Sequence, residues 1–210
     1  MNATANDERT GFALLTAPIT SIAEQMSMML GRPDARLDAE DIRDVVDRLV
    51  AYDVTYLTGG SADASAVSLY SGPDDVDPIG LVRDLAQAPN ARLRDALIAL
   101  LLRHPEFSAT VRTVFASMQS DDPARRPLLA RLLAAAALQR MGGGALSRIR
   151  IDVSDLVSAL DLPAPYVEEG DALLQGVAGL LTGPYPVNWI DGWMDVLRHT
   201  LAEAKRESAA

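Results

Sequence analysis

The chain has 210 residues, 49% of them apolar and 23% charged, with no cysteine and a formal net charge of −10. That length and apolar content suffice for one domain with a substantial core, and the charged fraction excludes global disorder. Absent cysteine excludes disulfides, thiolate metal sites and cysteine nucleophiles, and the acidic balance opposes adhesion of the whole molecule to nucleic acid or anionic lipid.

The average charge hides a pattern. Residues 91–150 hold ten Arg against Asp95, Glu106, Asp121 and Asp122, whereas residues 1–90 carry six Arg against fifteen acids and residues 151–210 three bases against ten acids. A basic middle sits between two acidic ends. The start "MNATANDERT" does not read as a secretory signal. The most apolar stretch, "LLARLLAAAAL", is interrupted by Arg131 and falls short of the roughly 18 residues of a membrane span. A cytoplasmic protein without membrane contact is expected.

In chain order, residues 1–15 are expected as a flexible arm. Ile19, Ile22, Met26 and Met29 recur at helical spacing, with Pro18 in the first turn and Gly31 and Pro33 as a stop. "DAEDIRDVVDRLVAYDVTYL" follows, with Asp38 as cap, acids in its first turn, and Ile42, Val45, Val46 and Leu49 as the apolar stripe. Asp44 and Arg48 read as an i, i+4 pair on the wet side. From Val50 to Thr58 the pattern fits a strand or a prolonged helix equally, and "SGPDDVDP" is a turn.

Four helices with short joints are expected between Asp77 and Met141. "DPIGLVRDLAQA" has Asp77 as cap. "PNARLRDALIALLLRHPE" has Asn90 as cap and Leu93, Ala96, Leu97, Leu100 and Leu101 on one stripe. "EFSATVRTVFASMQS" runs through Phe107, Val111, Val114, Phe115 and Met118, and "DDPARRPLLARLLAAAALQRMGGG" is Ala-rich with a glycine stop. Beyond it, an extended piece leads to a helix near Asp152 or Ser154, and "GDALLQGVAGLLTG" gives another. The last helix carries Trp189, Trp193, Leu197 and Leu201 on one stripe, with Met194 beside it. These elements make an all-α, single-domain protein of about eight to ten helices over residues 16–204, with a flexible tail at 205–210.

The stretch "LAQAPNARLRDALIALLLRHPE" resembles the turn and second helix of a HEAT-type repeat, through Pro89-Asn90, the apolar-basic step Leu93-Arg94 and the apolar run that follows. "DDPARRPLLARLLAAAAL" is a looser copy. Superposing Pro123 on Pro89 gives a period of 34 and sets Arg131 where Leu97 stands in the first copy. Confined to residues 77–141, the resemblance implies stacked helix pairs that form a binding surface and implies no activity.

Two chemical readings stand beside this. "LTGGSADASAVSLYSGPDDVDP" has the skeleton of a nucleotidyltransferase: a strand, a turn at Gly60 and Ser61 to cradle a triphosphate, then Asp75 and Asp77 to hold Mg²⁺ for in-line transfer. Against it, Pro73 and Pro78 flank "DDVD", and Asp77 suits a helix cap. Alternatively, Arg92, Arg94, Arg103, Arg125, Arg126 and Arg131 line one side of the stacked helices and receive an acidic partner or nucleic acid, unless the acidic ends of the same chain neutralise them. Trp189 and Trp193, four residues apart, could anchor a partner or dock on the protein's own core. His104 falls at a helix end, and His199 with Glu203 forms an i, i+4 pair too small for a metal site. No nucleophile elbow, phosphate loop or calcium loop is present. The leading expectation is a scaffold or accessory subunit that needs no cofactor or metal and binds another protein or a second copy of itself.

Overall fold

The helices stop and start where a side chain or a tight turn closes their open backbone groups. A computed structural model describes residues 39–58, 70–143, 146, 149–160, 170–181 and 188–209. Every regular element among them is helical, and none is a strand. The N-terminal arm, the expected Met-bearing helix, Gly60 and Ser61 lie outside the described residues.

Helix α1 (Ala39–Ala51) settles the ambiguous stretch that follows it. Asp53 takes a left-handed backbone with φ 57, and the Val54 and Asp53 amides donate to the Leu49 and Val50 carbonyls at 3.0 and 2.9 Å. This is a Schellman closure, with an acidic residue at the position glycine usually fills. It turns Val54 back onto Leu49, both buried, and residues 55–58 continue as a turn. The apparent alternation of "VAYDVTYL" is therefore a helix end. Arg48 is nearly buried, because it bridges Asp44 on α1 and Asp84 on the next helix at 2.7 Å each, where the sequence placed it on a wet face.

A single 3-10 turn, Pro73–Asp75, precedes α2 (Pro78–Gln87). The Asp77 carboxylate accepts from the Ile79 and Gly80 amides at 3.0 Å each, and Pro78 needs no donor in the first turn. A Cβ on Gly80 would lie 2.8 Å from Asp77 Oδ2, so a larger residue there would make the capping side chain shift. Asn90 caps α3 (Ala91–Arg103) by accepting from the Arg92 amide at 2.8 Å. α4 (Phe107–Ser117), α5 (Arg125–Gly142), α6 (Ser154–Ala159), α7 (Gly170–Leu180) and α8 (Trp189–Ala209) complete the described set. The expected tail is helical through residue 209.

Helices α3 and α5 pack side by side as a middle layer. On one side lie α2 and α4, on the other α7 and α8, and α1 packs on α2. Middle-layer helices are covered all round, which removes the amphipathic stripe. On α3, Ile98, Ala99 and Leu102 are buried along with the expected stripe, and on α5 everything from Ala130 to Gln139 is buried. The run Ala134–Ala137 supplies small side chains where α5 is crowded by α3 and α7.

Candidate functional site

The six arginines nominated from sequence do not form one cationic face. Arg131 is 1% exposed, inside the middle layer. Its Nη2 stands 2.7 Å from Asp95 Oδ1, and its Nη1 donates to the Pro127 carbonyl at 3.1 Å. Arg94 donates to the Ala88 and Pro89 carbonyls at 2.6 and 3.1 Å, closing the C-terminal end of α2. Arg103 reaches Glu207 at 2.7 Å and Glu203 at 3.7 Å. Arg125 donates to the Met118 carbonyl and lies over the Phe115 ring at 4.2 Å. Arg92 and Arg126 are exposed, the former 5.6 Å from the Tyr56 ring.

Burial pushes the Arg131 guanidinium below its ordinary value against the pull of Asp95, and pushes Asp95 above its ordinary value against the pull of Arg131. Trp193, fully buried, faces the same carboxylate without meeting hydrogen-bond geometry. Trp189 is half-buried, with its ring 5.6 Å from the Arg131 guanidinium. Both tryptophans thus dock α8 onto the body.

A second polar seam joins α8 to the turn after α1. Buried Glu203 accepts from the Thr55 hydroxyl, stands 3.2 Å from His199 Nε2 and neighbours Arg103. Hydroxyl, carboxylate and imidazole are all present. The carboxylate lies between the other two, whereas a nucleophilic triad requires the imidazole there. The contact fastens the turn after α1 to α8.

Asp75 and Asp77 are also committed locally. Asp75 ends the 3-10 turn and accepts from the Ser71 amide at 3.1 Å, while Asp77 caps α2. Neither lies on an extended strand, and of residues 54–60, nominated as the preceding strand, the described residues 54–58 hold no strand. Among the described residues, no group of three His or carboxylate side chains is placed to hold a metal. His104 caps the end of α3, with Nε2 2.8 Å from the Tyr52 carbonyl and Nδ1 3.1 Å from Glu106.

One concavity went unnoticed in the sequence. Where the 3-10 turn meets the start of α4, a groove of about 460 Å³ has Tyr52, Val76 and Phe107, all buried, as its floor and exposed Pro73, Asp74 and Glu106 at its lips. No Arg or Lys lines it among the described residues. Burial raises the Tyr52 phenol above its ordinary value, and Asp74, Glu106 and Asp77 raise it further. The available signal was "GPDDVDP" together with the Glu106-Phe107 pair, but their adjacency is tertiary. A smaller notch of about 150 Å³ opens between α4, α5 and α6 beside Arg112, whose two Nη atoms grip Asp155 at 2.8 and 2.9 Å. Comparison with family models, curated proteins and solved structures finds no match.

Proposed function

We propose that the protein is a non-catalytic α-helical scaffold that binds another protein across the outer face of α2 and α4. One observation carries this reading. α2 pairs with α3 and α4 with α5, and the pairs stack α2 on α4 and α3 on α5. Helical-repeat proteins such as the HEAT type use this order of contacts to expose one layer as a continuous binding surface. Here α7 and α8 pack on the other side of the middle layer, so the surface we assign is the α2/α4 side. Inward commitment of Arg94, Arg103 and Arg131 supports a protein partner over nucleic acid.

The test is site-directed photo-crosslinking in the native host, with a benzophenone side chain in place of exposed Gln87 or Thr113, and in place of exposed Arg198 or Ala202 on α8 as controls. Discrete adducts from the α2 and α4 positions alone are expected, and adducts of twice the chain mass would identify a second copy as the partner. Equal adducts from α8, or none from α2 and α4, would overturn the assignment.

A further inference from the structure

We propose that the groove between the 3-10 turn and the start of α4 receives a basic, apolar-flanked peptide segment of the partner, with an Arg or Lys side chain between the Asp74 and Glu106 lips. The inference rests on the scaffold reading and names the chemistry of its partner. Three features of the groove select that occupant. Its volume, about 460 Å³, lies within the roughly 300–1,000 Å³ of sites that enclose ligand-sized groups. The floor is apolar and aromatic, Tyr52 and Phe107 meeting edge to face with centroids 4.9 Å apart, which suits the aliphatic stem of a long cationic side chain. The lips are carboxylates, and Asp75 and Asp77 stand beside them on the same turn.

Among the described residues, the charges facing the groove are unbalanced. His104 contacts Glu106, and Asp75 and Asp77 are held by backbone amides, which give hydrogen bonds without cancelling the carboxylate charge. A cationic side chain entering here gains Coulomb attraction at the lips and loses little hydration, while an acidic segment meets like charge.

The test uses the full chain and two fluorescein-labelled octapeptides, one alternating arginine and leucine, the other glutamine and leucine. Binding is read by fluorescence anisotropy and by amide chemical-shift mapping. The arginine peptide is expected to shift the amides of Tyr52, Val76 and Thr110, with affinity that falls as salt rises, and the glutamine peptide is expected to bind at least about fivefold more weakly. Asp74→Ser with Glu106→Gln should weaken the arginine peptide about five- to tenfold. The same charge change at exposed Asp121→Asn with Asp171→Asn should leave it within about twofold, by screening. Glu106 stands at the N-cap of α4 without a side-chain cap hydrogen bond, and thermal midpoints check that both variants fold. Equal weakening by both pairs, or shifts centred away from the groove, overturns the inference. Photo-adducts from α2 and α4 without peptide binding would sink the groove alone. Peptide binding without adducts would sink the scaffold reading alone.

Discussion

Replacing Arg131 with Met removes the charge at the centre of the molecule while keeping its aliphatic length. In the native protein the two partners are almost dry, with side chains 1% and 11% exposed, and Asp95 already sits above its ordinary pKa because of burial. Without the guanidinium, the carboxylate retains Arg94 and the Trp193 indole nearby but loses its close cation. Removing one member of such a pair costs about 3–5 kcal/mol, because a buried charge is left uncompensated. Asp95→Leu should cost a similar amount by stranding Arg131. Combining the two leaves apolar groups in an apolar layer, and the double variant should lie within about 1 kcal/mol of the parent or above it. Urea unfolding followed by tryptophan fluorescence and far-UV circular dichroism gives all three values, with an unchanged slope certifying comparable end states. A carboxylate whose folded pKa is raised costs stability above that pKa, and the cost disappears as pH falls toward the unfolded value near about 4. Arg131→Met should therefore recover part of its deficit as pH drops through that window. If its cost at neutral pH is below about 1 kcal/mol, or if the double variant sums the singles, the pair is not the buried, coupled unit described.

Gln139 makes a second internal joint, its amide donating to the Ile149 carbonyl at 2.7 Å and accepting from the Ile151 amide at 2.9 Å. Gln139→Leu should cost about 2–4 kcal/mol and speed hydrogen exchange first at Ile151. Asp77→Ala should cost about 0.5–2 kcal/mol, while Asp77→Asn should cost only a few tenths because asparagine caps as well. If Asp77 were a magnesium ligand, Asn and Ala would instead be equally damaging to any nucleotide-dependent activity. Arg112 holds Asp155 down to about 2, mainly through its hydrogen bonds. Its contribution is complete above the unfolded carboxylate value near about 4 and is lost as pH falls toward 2. Asp155→Asn should flatten acid unfolding over that interval, and identical acid curves would refute the assignment.

Much of the helical order was legible because local chemistry determines it. Asp77 and Asn90 announce caps, and the glycine run ends α5 at Gly143, where φ is 62. Residues 50–58 resisted because their two-residue alternation matches a strand pattern, while the closure of the helix rests on a left-handed backbone at Asp53, a residue type that does not announce one. Three-layer packing was invisible for a different reason. A helix buried on every side loses the period that identifies its neighbours, so α3 and α5 read as one-faced or Ala-rich helices. Arg131 looked like surface charge because its partner lies 36 positions earlier, and Arg103 because Glu203 and Glu207 follow about a hundred residues later. Of the six nominated arginines Arg103 meets acids of the C-terminal segment and Arg131 meets Asp95 of its own segment, and which arginine meets which acid depends on helix rotation.

That attraction bears on where a partner docks. Arg48 joins α1 to α2, Arg112 joins α4 to the start of α6, and Arg103 joins α3 to α8, each time by meeting an acid from another element. Arg103 and Arg112, two cations of the middle segment, are thus used between elements, and opposite charges brought together there add little to the outer field. What stays uncompensated must lie where acids cluster without arginine. Among the described residues, Asp74, Asp75, Asp77 and Glu106 meet that condition beside an apolar floor, with His104 at Glu106 as the nearby basic group. Exposed lip charges of this kind act mainly on encounter rate and on selection against like-charged partners, whereas the floor governs dissociation. Substitutions at the lips should therefore change the salt dependence of binding more than its lifetime, and an effect confined to the lifetime would mean that the carboxylates are not the selecting element.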